Sequence, residues 1–173
     1  MDQHDRNDWT LFQRGNPAGM ERIYNRHRNA MYTYCLYMTG HRQTAEDLLQ
    51  ETFARLMGQK DCGGEIRSLK NWLFICARNL TLNHLKRECR AESLDWDPVS
   101  EIPEVGPEVR LFIERILGGL SAEDRELILL REQQRFSIEE LADLLGVSSE
   151  AVRVRLYRAR RRMQKLAKGS NDA

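Results

Sequence analysis

The stretch SIEELADLLGVSSEAVRVRLYRARRRM, residues 137–163, carries two helices and the turn between them. Ser137-x-x-Glu140 has the spacing of a capping box, in which the hydroxyl accepts from a backbone N–H three residues on and the glutamate reaches back. Gly146 ends the first helix and Ser148 is placed to cap the second. The pattern predicts helices over 138–145 and 149–167 joined by Gly146-Val147-Ser148, a helix-turn-helix. Val152, Leu156, Ala159 and Met163 align on one face of the second helix, which should pack on Leu141 and Leu145. Turning by about 100° per residue, Glu150, Val154, Tyr157, Arg158 and Arg161 then point away, with Arg153 on the flank and Ser149 at the start. An apolar back and an arginine-rich front suit the DNA major groove, where the first turns reach base edges and later arginines meet phosphates. Between Arg153 and Lys168 stand eight basic residues and no acid. A solvated helix does not need that many, so DNA binding is the favoured reading.

Working outward, two further helices are predicted at about 107–118 and 122–133. Before them, residues 91–107 (AESLDWDPVSEIPEVGP) hold three of the four prolines, five acids and no apolar periodicity, which marks a flexible acidic linker. The chain of 173 residues thus reads as two small helical domains, 1–90 and 108–173, and as all-α. Its net charge of +1 hides a division: +4 over 1–90, −5 over the linker and +2 over 108–173. A 41% hydrophobic content is that of a soluble globular protein. No window approaches the roughly 18 apolar residues of a membrane span, and MDQHDRNDWT is no signal peptide, so a cytoplasmic location without membrane insertion is expected. Cys35, Cys62, Cys76 and Cys89 never reach C-x-x-C spacing, and His4, His27, His41 and His84 sit in unrelated contexts. No metal site and no cofactor are expected, and the thiols should be free. Cys62, beside Asp61 and Gly63, lacks the basic neighbour of a redox sensor.

In the first domain helices are predicted at about 17–38, 43–58 and 68–88, with a weaker one near 7–14. Thr44 reads as the N-cap of the second, with Glu46 and Asp47 in its first turn, and Leu49, Phe53 and Leu56 form its buried stripe. The loop GQKDCGGEIR (58–67), with three glycines, cannot continue that helix. Opposite the stripe, Asp47, Gln50, Glu51 and Ala54 make a mostly acidic face. DNA would repel it, so it is either a surface for a basic protein partner or simply solvated. Helix 68–88 sets Trp72, Asn79, Asn83, Lys86 and Arg90 along one side and Leu69, Leu73, Cys76, Leu80 and His84 toward the other. The first set suits a splayed nucleic-acid strand with a stacked base, although Trp72 alone suits core packing as well. His84 reads as a core histidine. No nucleophile pair or carboxylate dyad is present to suggest an enzyme.

Three blocks, AEDLLQETFARLM (45–57), NWLFICARNLTLNHLKR (71–87) and 137–163, resemble regions 2 and 4 of the extracytoplasmic-function (ECF) sigma factors. The resemblance covers about residues 9 to 168. It implies a non-catalytic subunit that binds core RNA polymerase, directs it to promoter DNA and is held in check by an anti-sigma factor. Asp47, Gln50 and Glu51 match the motif that docks on the clamp helices of the polymerase's largest subunit. The loop before Asn71 matches the element that captures an unstacked −10 base. Asn79, Lys86 and Arg87 match the region that contacts −10 DNA, and the stripe on the same helix adds Trp72, Asn83 and Arg90 to that expectation. Arg153, Val154, Tyr157 and Arg158 match the recognition helix that reads the −35 element, and the outward face adds Ser149, Glu150 and Arg161. The linker matches a segment that threads toward the polymerase's catalytic and RNA-exit region. Two departures stand out: Asn83 where the family commonly has Asp, and Glu150-Ala151 where it commonly has Gly-Thr. The second puts a carboxylate on the DNA-reading face, where it can accept from cytosine N4. The rival reading is a conventional helix-turn-helix regulator that binds duplex operator unaided.

Overall fold

Every regular element is helical in the computed structural model, which describes residues 2–60, 66–88 and 107–169. The chain divides into two compact units, Met1–Leu94 and Asp95–Ala173. Residues 91–106 of the linker, Arg90, Cys62 and Cys89 lie outside the described residues, and Pro107, its last expected residue, already opens a helix.

The first unit is built from α1 (Gln3–Gln13), α2 (Ala18–Thr39), α3 (Arg42–Gly58) and α4 (Leu69–Glu88). The long α2 is its axis and packs against the other three. It gives the core Ile23, Met31, Tyr34, Leu36 and Met38, which are buried along with Leu56 of α3 and Leu69, Leu73 and Phe74 of α4. Tyr34 and Phe74 stack edge to face at 5.6 Å, as do Tyr24 and Phe53 at 4.9 Å. Leu49, Phe53 and Leu56 are buried as one stripe, as their spacing predicts.

The turn from α2 to α3 corrects the expected cap. Gly40 adopts the left-handed conformation (φ 74°) and its N–H bonds the Leu36 carbonyl at 2.8 Å. His41 is then extended and Arg42 already helical, so α3 starts ahead of Thr44 with His41 at the N-cap and no side-chain cap. Thr44 sits within the first turn. At the other end, α1 starts at Gln3, earlier than the weak apolar pattern near 7–14 indicates. Its acids explain this. Asp5 and Asp8 are buried, and Arg26 donates to Asp5 at 2.6 Å and to Asp8 at 2.5 Å, while His27 Nε2 lies 2.9 Å from Asp5. Burial pushes the Asp5 carboxyl up, but His27 and Arg26 outweigh it and hold the group below the ordinary carboxylate range. Gly19 lets α1 lie directly on α2, because a Cβ there would meet the Asp8 carbonyl oxygen at 2.3 Å and the Phe12 nitrogen at 2.6 Å. Cys35 is a free, buried thiol whose pKa burial raises to about 12.

The second unit comprises α5 (Pro107–Gly118), α6 (Ala122–Ile128), α7 (Ile138–Leu145) and α8 (Ser149–Gly169). The helix expected over 122–133 is α-helical only to Ile128, and Leu129–Gln133 form a π-helical turn. The wider turn brings Phe136 into the core, fully buried. The Phe136 N–H bonds the Leu130 carbonyl at 3.1 Å, and its own carbonyl accepts from Arg131 at 2.5 Å. The capping box forms as read: Ser137 Oγ accepts from the Glu140 N–H at 3.0 Å and Glu140 from the Ser137 N–H at 2.8 Å. Gly146 is left-handed (φ 67°), and Ser148 Oγ accepts from the Ala151 N–H at 3.2 Å. Among the described residues no helix is long and apolar enough to cross a membrane, and no three His, Cys, Asp or Glu gather as a metal site.

Candidate nucleic-acid and protein interfaces

The sidedness of α8 is complete over its first three turns. Val152, Leu156 and Ala159 are buried, and Leu141 of α7 is buried with them. Between these positions Val154 is 48% exposed and Tyr157 62%. Apolar side chains left this open on a helix whose other face is fully packed mark a contact surface. Glu150, Arg153, Arg158 and Arg161 are exposed beside them, and Ser149 is half-buried. The Arg161 guanidinium lies 5.9 Å from the Tyr157 ring centroid, a cation–π contact that draws the two side chains together.

The cations of α8 do not all serve that face. Arg160 reaches Glu132 of the π turn at 2.5 Å and Arg162 pairs with Asp124 of α6, so both hold α8 against its own unit. Arg153 has a different neighbourhood, 3.6 Å from Glu150 and 3.8 Å from Glu139, an acid on α7. Sequence reasoning missed Glu139. It stands 14 positions before Arg153, and only the helix-turn-helix crossing makes the two neighbours.

On α3, Asp47, Gln50 and Glu51 are all exposed, while Leu48, Leu49, Thr52, Phe53 and Leu56 face the core. Each acid already has a local partner. Glu51 accepts from Arg55 at 2.8 Å, Asp47 from Gln43 at 3.0 Å, and Glu46 from Arg42 at 2.9 Å. The face is therefore acidic at its centre with arginines at its ends. Arg55 also lies beside Cys76 of α4, where burial raises the thiol's pKa and the guanidinium partly opposes that shift.

On α4, Asn79, Asn83, Lys86 and Arg87 are exposed, Trp72 is half-buried, and Leu69, Leu73 and Leu80 are buried. Cys76 and His84 are half-buried. Phe74, Ala77 and Thr81 are buried as well, so the packed face is wider than the apolar spacing indicates. Ile75, at 43% exposure, precedes Asn79 by one turn and adds an apolar group to the polar line that the sequence had not suggested.

Comparison with known proteins follows the same division. The Sigma-70 region 2 model matches residues 23–91 and the Sigma-70, region 4 model residues 112–163. The ECF RNA polymerase sigma factor BldN of Streptomyces coelicolor is 31% identical over 166 residues, covering 89% of this chain and 62% of BldN. The chain thus spans less than two thirds of that relative. The ECF RNA polymerase sigma factor SigL of Mycobacterium tuberculosis is 31% identical over 156 residues, covering 85% of this chain and 88% of SigL. Among solved structures, the sigma factor RpoE from Bartonella quintana, in complex with the anti-sigma factor NepR, is similar at a TM-score of 0.74 and 25% identity. That match covers 86% of this chain and 96% of the other.

Proposed function

The chain belongs to the sigma-70 family as an ECF sigma factor, and from that premise we propose that it binds core RNA polymerase and directs it to a specific set of promoters. Polymerisation is the chemistry of the polymerase; this subunit supplies recognition and acts in the cytoplasm. The α3 face of Asp47, Gln50 and Glu51 docks on the basic clamp helices of the largest subunit. Its partner arginines do not prevent this, because exposed pairs four residues apart contribute only about 0.3–0.5 kcal/mol and are readily exchanged.

The remaining surfaces divide promoter recognition between the units. Trp72, Asn79, Asn83, Lys86, Arg87 and Arg90 meet the −10 element once it opens, where polar groups and an indole suit separated bases. Ser149, Glu150, Arg153, Val154, Tyr157, Arg158 and Arg161 meet the −35 element as duplex, the early residues at base edges and Arg158 and Arg161 at phosphates. Residues 1–90 form the core- and −10-binding domain, 91–107 the acidic connection and 108–173 the −35-binding domain. An anti-sigma factor is a further partner, supported by the likeness to RpoE, which was solved bound to one.

The observation that carries this reading is the exposed Val154–Tyr157–Arg161 front of α8 over its packed Val152–Leu156–Ala159 back. A mobility-shift assay with promoter DNA, with and without core polymerase, tests it together with run-off transcription. Core-dependent binding and transcription are expected. Tight duplex binding by the chain alone, without core-dependent transcription, would establish the rival helix-turn-helix regulator.

A further inference from the structure

Arg153 lies between two carboxylates contributed by consecutive helices. Its Nη1 is 3.6 Å from Glu150 Oε1, at the start of α8, and its Nη2 is 3.8 Å from Glu139 Oε1, in the first turn of α7. Neither acid is needed for the fold, since both are exposed and the α7 terminus is already closed by Ser137 and Glu140. Acids beside a surface that meets phosphates weaken its hold on DNA, because they repel the polyanion. Their presence at this spot calls for a compensating role. Resting on the assignment of α8 to the −35 element, we infer that Glu139 and Glu150 are positioning residues that aim Arg153 at a guanine, so that Glu139 sets a base preference without touching a base.

The chemistry of the guanidinium permits this. Each terminal nitrogen carries two hydrogens, so a carboxylate on either flank leaves one hydrogen on each nitrogen for the N7 and O6 acceptors of guanine. An unrestrained arginine at the edge of a recognition helix can choose the nearest phosphate instead, a contact that carries no sequence information. Here that choice strands two acids beside the DNA backbone without their cation, which disfavours it. In the free chain the pairs are loose and solvated and contribute little. Docking in the groove removes water around them and strengthens the attraction, so the bracket acts at the moment of recognition. Glu150 then acts on the base step through Arg153, in place of the direct base-edge contact given to it above.

The test uses the full chain assembled with core polymerase and a promoter library randomised across the −35 element. Wild type, Glu139→Gln, Arg153→Ala and the double variant are compared by the enriched sequences and by affinity for unrelated duplex DNA. Arg153→Ala should lose guanine preference at one position by about 10- to 100-fold. Glu139→Gln should lose a several-fold share of that preference at the same position and bind unrelated DNA more tightly, and in the double variant it should cost no further base preference beyond Arg153→Ala. Its melting temperature should be unchanged, because the side chain is exposed. Tighter binding by Glu139→Gln to all sequences alike, with the wild-type motif intact, would show that Glu139 only repels DNA and would overturn the bracket. If Arg153→Ala itself left the motif unchanged, the fault would lie in the assignment of Arg153 to −35 reading, and the bracket would fall with it.

Discussion

Replacing both Asp47 and Glu51 by arginine reverses the charge at the centre of the exposed α3 face and leaves its packed side untouched. The cost to the fold follows from the partners lost. Glu51 gives up a 2.8 Å hydrogen bond from Arg55 and Asp47 a 3.0 Å one from Gln43, all on the exposed side of one helix. Exposed pairs of this spacing contribute ~0.2–0.5 kcal/mol each, and a new arginine four residues from Arg55 repels it by a similar amount. The sum is about 1 kcal/mol, a fall of roughly 4–8 °C in melting temperature for a unit of this size. The effect on assembly is much larger. Close charge pairs across an interface couple by ~1.5–7 kcal/mol, and the lower end is appropriate here because Glu51 must exchange Arg55 for its new partner. Two positions then give at least ~3 kcal/mol, more than about 100-fold in affinity. Competition against a labelled reference sigma factor for core polymerase measures this, with a circular-dichroism melt confirming the fold. A folded variant that competes within a few-fold of wild type would refute the docking assignment.

Other perturbations address the remaining surfaces. Lys86→Ala with Arg87→Ala should leave core binding near normal yet slow open-complex formation on duplex promoters, with the defect shrinking on a template premelted across the −10 region; equal permanganate reactivity on the duplex template would count against this role. Because the folded Asp5 pKa lies below its unfolded value, its contribution to stability is fully present above about pH 4 and disappears as pH falls through the folded value. Asp5→Asn should therefore cost about 3 kcal/mol of stability at neutral pH, the lower end for a broken buried pair because Arg26 keeps Asp8, and should flatten the acid limb of the melting curve, whereas an unchanged acid limb would show that the network with Arg26 and His27 is not what acid breaks. Gly19→Ala should displace α1, since its Cβ would meet backbone atoms that cannot step aside; the cost is of the overpacking kind, about 1–3 kcal/mol, and near-wild-type stability with Trp9 fluorescence unchanged would contradict it.

What could be read from sequence was whatever depends on neighbours within a turn or two. Both bounds of α7 were legible because Ser137, Glu140 and Gly146 satisfy the helix ends with local bonds. The buried stripe of α3 and the first three members of that of α8 were legible for the same reason, since a packed face repeats with the helical period, whereas Met163 and Leu145, expected in the α8 contact, are only half-buried. Thr44 misled because a hydroxyl residue beside acids looks like a cap, whereas the left-handed Gly40 had already turned the chain into the helix two residues earlier. The burial of Asp5 and Asp8 gave no local signal, because their partners, Arg26 and His27, are some twenty positions away. The π turn escaped because the burial of Phe136 that accompanies it depends on packing from other elements. The acidic neighbours of Arg153 fall into both classes: Glu150, on the same helix, was visible as an oddity, and Glu139 was not visible at all.

With α8 on promoter DNA as proposed, the ion pairs that fasten its rear also set how that binding responds to ionic strength. Affinity for a DNA backbone comes chiefly from the release of condensed counterions, about 0.9 for each phosphate neutralised. A cation already held by a carboxylate of its own protein releases few of them. Arg160 and Arg162 are so held and Arg153 is partly so, which among the described residues leaves Arg155, Arg158, Arg161, Lys165 and Lys168 without a carboxylate partner. The −35 contact proposed for α8 is accordingly less salt-driven than the arginine count suggests. When solutes concentrate and non-specific attraction to the chromosome fades, a larger fraction of its hold survives at the sequences it reads.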